Sequence, residues 1–83
     1  AMMTCVRRIE HEDGKRRVNF LGHSNGFFSY EGWCEALDNV PGLGPQTYWK
    51  CEYQSGLYAS LEDAERDALA SIDWLRRSTN SPG

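Results

Sequence analysis

Residues 18–26 read Val-Asn-Phe-Leu-Gly-His-Ser-Asn-Gly, and two incompatible turns can be built from them. Taken as Gly22-x-Ser24-x-Gly26 after an apolar run, they match the nucleophile-elbow motif, a strained strand-to-helix turn that presents a serine hydroxyl. Taken as Asn25-Gly26 between two β-prone runs, they close a hairpin. The elbow requires an acid and a histidine later in the chain, whereas His11 and His23 both precede Ser24. It also requires a helix next, and Phe27-Phe28 favours a strand. The hairpin reading prevails, and His23 becomes a hairpin-end residue rather than a general base.

Working outward toward the N-terminus, Asp13-Gly14 signals a second hairpin, expected as a two-residue type I′ turn. That turn sets Glu10 opposite Arg17, Arg8 opposite Asn19, Val6 opposite Leu21, Ile9 opposite Val18 and Arg7 opposite Phe20. Glu10 and Arg17 are then a charge pair on a wet face with Arg8 and Asn19, while Ile9, Val18 and Phe20 share the dry one.

Toward the C-terminus the pattern is less decisive. Tyr30, Trp33, Cys34, Leu37 and Val40 recur at helical spacing after a possible cap at Ser29, yet Phe28, Tyr30 and Cys34 also alternate as in a strand interrupted by Gly32, and the strand is favoured. Pro41-Gly42-Leu43-Gly44-Pro45 is expected to be the longest loop. In 46–54, Thr47, Trp49, Cys51 and Tyr53 alternate with polar neighbours, which predicts that Trp49 faces the core and that Trp49→Ala costs on the order of 3–5 kcal/mol. Ser60 followed by Asp63 reads as a helix cap, and Leu61, Ala64, Ala68, Ile72 and Leu75 form an apolar stripe, Ile72 buried, on a helix over 61–77. Its alanines allow close approach to a sheet. Trp74 falls about 120° from the stripe's centre, which points to an interface; the simpler reading folds its ring over a loop or sheet edge. Residues 78–83 read as a flexible polar tail.

Eighty-three residues allow one domain, with roughly 60–65% of the unfolded surface buried and little interior for a deep cleft. A hydrophobic content of 40% is too high for a disordered chain. The formal net charge of −3 argues against coating a nucleic-acid duplex. Cys5, Cys34 and Cys51 are an odd set without C-x-x-C spacing, which suits a reducing cytoplasm better than a disulfide framework. No apolar run approaches a membrane span, and residues 2–7 lack the apolar core of a signal peptide. Ala1-Met2 reads as an expression scar ahead of Met3.

The candidate chemistry is sparse. Cys34 could act as a nucleophile if the fold supplied His11 or His23, but a free cysteine is more often a small buried hydrophobe. No cysteine or histidine pair lies at metal-ligand spacing, so no metal and no cofactor is expected. Arg7, Arg8, Lys15, Arg16 and Arg17 could track a phosphate backbone beside stacking aromatics, against the simpler reading of a solvated hairpin with cross-strand ion pairs. Three Trp, four Tyr and three Phe exceed what a thin core needs, and Trp and Tyr are enriched at binding hot spots. Trp74, Tyr48, Trp33 and Phe28 are the interface candidates on that ground.

The unit running from 48 through Ser60-Leu61-Glu62-Asp63-Ala64-Glu65 resembles the strand, turn and amphipathic-helix ending of many short bacterial and phage chains. With the small size and the lack of an enzyme signature, it resembles orphan proteins of phages and other mobile elements, and the unit, about a third of the chain, is not specific enough to name a family. The expected fold is a two-layer α+β domain over 3–77. It is an antiparallel β-meander of three or four strands at 4–12, 15–22, 27–34 and 46–54, with one C-terminal amphipathic helix packed on one face. The expected function is a non-enzymatic protein-binding, inhibitory or regulatory module that can self-associate. A nucleic-acid or small-ligand binder using the basic hairpin is the alternative.

Overall fold

The computed structural model describes residues 2–79. Four strands, β1 (Met3–Glu10), β2 (Arg16–His23), β3 (Phe28–Val40) and β4 (Gly44–Gln54), form one antiparallel sheet in chain order. Two helices follow, α1 (Leu61–Ser71) and α2 (Asp73–Thr79), and α1 lies over β2 and β3. This is the expected α+β meander, and its extents of 47 × 39 × 17 Å leave room for two layers only.

The pairing of Glu10 with Arg17, Ile9 with Val18, Arg8 with Asn19 and Arg7 with Phe20 is as the turn chemistry requires. Beyond Arg7 the register slips, because Val6 is an extra residue and Leu21 pairs with Cys5 instead. Both hairpin turns differ from type I′. Only Gly14 (φ 71°) and Gly26 (φ 89°) are left-handed there, because Asp13 and Asn25 keep ordinary backbone and use their side chains. Asp13 Oδ1 accepts the Lys15 N–H at 2.7 Å and Asn25 Oδ1 accepts the Phe27 N–H at 3.2 Å. Ser24 thus lies inside the turn closed by the Gly26 N–H on the His23 carbonyl, with no helix after it.

Two expectations for the second half are corrected. The long loop is a tight turn at 41–43: left-handed Gly42 (φ 84°) and Gly44 (φ 77°) reverse the chain, so β3 reaches Val40 and Pro45 pairs with Asn39 inside β4. Pro45 is tolerated because β4 is an edge strand. The single helix over 61–77 is broken at Ile72, whose extended backbone (φ −103°, ψ 107°) caps α1, and α2 continues through residue 79, so the tail expected over 78–83 is helical at its first two positions. Residues 80–83 lie outside those described.

The core sits between the β2–β3 face and the helices. Val18, Phe20, Ala64, Ala68 and Leu75 are fully buried, with Tyr30 and Ile72 nearly so. Ser60 caps α1 by accepting the Asp63 N–H at 3.1 Å. After β4 the chain runs on beside the start of β3, where the Ser55 N–H donates to the Tyr30 carbonyl at 2.9 Å and Tyr58 bridges Phe28 through paired backbone hydrogen bonds of 2.7 and 2.8 Å. That continuation brings the Tyr58 ring to Tyr30, stacked at 6.0 Å, and both phenols donate to Asp67 of α1. Helix and sheet are therefore joined by one carboxylate shared between two tyrosines.

Candidate protein interface

The helices cover one face of the sheet; the other carries no helix and is bare except toward its His23 end, where Leu21 and Ser29 are buried. On β2 and β3 the division follows simple alternation: Val18, Phe20 and Tyr30 face α1, while Arg17, Asn19, Glu31 and Trp33 face away. On β4 it does not. Glu52 is an extra residue between the Gly32–Tyr53 and Trp33–Cys51 pairs, so Tyr53 turns to the helix side while Cys51 and Trp49 turn to the bare side. The bulge accommodates a specific fit. A Cβ on Gly32 would lie 2.0 Å from Cζ of Tyr53, so that ring occupies the space a side chain would fill.

Trp49 is therefore not a core residue, contrary to the alternation. It is half-buried on the bare face, with the guanidinium of Arg17 lying 3.7 Å over its ring. The expected Glu10–Arg17 ion pair does not form although the two residues are in register, because Arg17 reaches the opposite way across the sheet. Trp33 stands directly across from Arg17, and its indole N–H donates to Glu31 at 3.4 Å. Gln54 donates to the second oxygen of that carboxylate at 3.0 Å. A patch of two half-exposed indoles, one stacked cation and a fixed carboxylate results, with Glu10, Arg8 and Glu35 around it.

Beyond Cys34 the sheet narrows to β3 and β4 alone, and this two-stranded arm carries Leu37 (65% exposed), Leu43 (71%) and Tyr48 (47%). Of the four aromatic candidates, Trp33 joins the patch and Tyr48 lies on the arm. Phe28 packs at the core rim, and Trp74 meets His11 edge-on at 5.2 Å beside a cleft of about 670 Å³ lined also by Arg16, Glu52, Asp73 and Arg77. Trp74 follows the helix break at Ile72, and its ring lies against His11 in the β1–β2 loop. Trp49 was missed as a surface residue, and no sequence signal marks the bulge that put it there.

The five basic candidates do not converge. Arg7 pairs with Glu65 of α1 at 2.8 Å and Arg16 with Asp13 at 3.6 Å, Arg8 donates to Asn19 at 2.9 Å on the bare face, Arg17 covers Trp49 and Lys15 sits in the turn.

His23 Nε2 and Ser29 Oγ are 2.7 Å apart, but Ser29 is 7% exposed, which leaves its hydroxyl little access to a substrate. Burial raises the Cys34 thiol, with Glu52 adding to it, and burial likewise raises Cys51, so neither is activated as a thiolate. Among the described residues no group of three His, Cys, Asp or Glu side chains is placed to hold a metal ion, and no helix is long and apolar enough to cross a membrane. None of the family models, curated proteins or solved structures compared with the chain matches it.

Proposed function

We propose that this chain is a non-enzymatic protein-binding module of the inhibitory or regulatory kind, and that it binds through the bare sheet face. The observation that carries the reading is the patch of Trp33 and Trp49 with Arg17 stacked on it, on a sheet whose other face is already filled by helices. Trp and Arg are the residues that dominate interface energetics, and a patch of them rimmed by charges of both signs has the composition of an interface core. Leu37, on the same face of β3 as Glu31, Trp33 and Glu35, extends this surface onto the exposed arm. Binding of single-stranded nucleic acid has less support, because the arginines it would use are divided between two faces and Glu10, Glu31 and Glu35 share the side that holds the indoles. Three free thiols fit a reducing cytoplasm, and the strand, turn and amphipathic-helix ending fits a mobile-element origin.

The test is retention from extract of the source cell on the immobilised chain, with Trp33→Ala/Trp49→Ala as comparison. Specific proteins retained by the wild type and lost with the double variant, at unchanged circular dichroism, are expected. Retention that the substitutions leave untouched, or retained nucleic acid whose binding falls steeply with salt, would overturn the reading.

A further inference from the structure

The bare face carries a cation that the chain itself does not neutralise. Arg17 lies on Trp49, its Nε is buried without a hydrogen-bond partner, and among the described residues it makes no ion pair. Stacking on the indole removes water from one side of the guanidinium, and of its nitrogens only Nε is buried without a partner, a posture suited to receiving a carboxylate. On the same face Glu35 and Glu10 are exposed, and Glu31 is held in place by Trp33 and Gln54. The surface thus holds a fixed cation on one strand, fixed and free carboxylates on its neighbours, and two indoles among them.

A wholly acidic partner would meet Glu10, Glu31 and Glu35, and a wholly basic one would meet Arg8 and Arg17. What suits the surface is a second surface with the same charges in reversed arrangement, and a two-fold axis applied to this one produces it. We propose that the occupant of the bare face is a second copy of this chain, packed sheet on sheet, with Arg17 of each copy reaching the Glu31 and Glu35 carboxylates of the other around Trp33 and Trp49. This rests on the reading of that face as a protein interface. The size is adequate: four strands about 4.8 Å apart and about eight residues long present roughly 500 Å² per copy, about 1,000 Å² in all, the lower bound of a specific interface. A modest affinity follows. Aligned sheets pack about 10 Å apart, a gap that indole rings from both sides can fill.

Sedimentation equilibrium of the full chain is the experiment. The wild type is expected to pass from monomer to dimer through the micromolar range. Arg17→Glu alone, or Glu31→Lys/Glu35→Lys alone, should raise the dissociation constant on the order of a hundred-fold through like-charge opposition, and an equimolar mixture of the two should restore the dimer. The wild-type measurement needs no variant to fold, and circular dichroism checks those that are used. A wild type that stays monomeric at high micromolar concentration overturns the proposal, as does a dimer indifferent to both charge reversals or a mixture that fails to reassociate. A monomer that still retains other proteins through Trp33 and Trp49 ends the dimer while leaving the binding function. A dimer that retains none does the reverse.

Discussion

The two faces of the sheet are cut from alternate residues of the same strands, and both are aromatic. On the covered face Phe20, Tyr30, Tyr53 and Tyr58 meet one another and the small residues Ala64 and Ala68 of α1, so ring packs on ring with the helix pressed close. On the bare face Trp33 and Trp49 have no such lid, and their neighbours are Arg17 and Glu31. Aromatic content does not distinguish these surfaces. Partner size and charge do: glycine and alanine opposite a ring permit closure, whereas a long cation opposite a ring leaves one side of the contact open to a second molecule.

The largest expected effect sharpens that contrast. Phe20→Ala removes a fully buried ring and should lower unfolding free energy by about 3–5 kcal/mol, read from the urea midpoint. Trp49→Ala removes a larger side chain yet should cost only about 1 kcal/mol, the scale of a cation–π contact near the surface. Equal losses would mean that the bare face carries part of the core.

Next in size is the fit that separates the two faces on β4. Gly32→Ala brings a methyl into the Tyr53 ring and should cost about 1–3 kcal/mol, despite alanine's lower backbone entropy cost. In Gly32→Ala/Tyr53→Ala the clash is gone, so the double variant should be more stable than the sum of the singles by about 1 kcal/mol or more. Strict additivity in a double-mutant cycle would show that the bulge at Glu52 turns the strand without help from this pair.

Why some of this is legible in the residue order and some is not comes down to the range of the forces involved. The Asp13-Gly14 and Asn25-Gly26 turns, the Ser60 cap and the stripe from Leu61 to Leu75 are short-range features, and each is found where local chemistry puts it. Period-2 counting then gives the faces of β2 and β3 correctly. It fails on β4, where the extra residue answers to a glycine about twenty positions away on the neighbouring strand. The candidate site was legible in its parts, Arg17 and Trp33 among them. Its assembly was not, because Trp49 reaches Arg17 only after the slip.

The tyrosine–aspartate junction offers the gentlest way to loosen the covered face while leaving the bare one alone. Asp67 is held below the usual carboxylate range by the Tyr58 hydroxyl first and the Tyr30 hydroxyl second. Tyr58 is pushed up mainly by its bond to Asp67, and Tyr30 mainly by burial with Asp67 adding to it. A carboxylate depressed in the folded state contributes stability above its unfolded pKa of about 3.9 and loses it as pH falls below that value. A phenol raised in the folded state contributes below about 10 and loses its contribution as pH climbs through the shifted value. The junction is therefore at full strength between about pH 4 and 10 and weakens beyond each end. Other groups act in the same directions: Asp13, lowered chiefly by the Lys15 N–H, adds to the acid limb, and Tyr53, raised to about 12 chiefly by burial, adds to the alkaline one with the Cys34 and Cys51 thiols, both raised by burial. Differences from variants isolate the junction from them. Asp67→Asn should lower the melting temperature near neutrality and flatten the acid limb relative to wild type, and Tyr58→Phe should flatten the alkaline limb. Neither should change self-association, since both residues lie on the helix side of the sheet. If Asp67→Asn left the acid limb as steep as before, the titration would belong to the Asp13 turn, and helix and sheet would be held together by apolar packing alone.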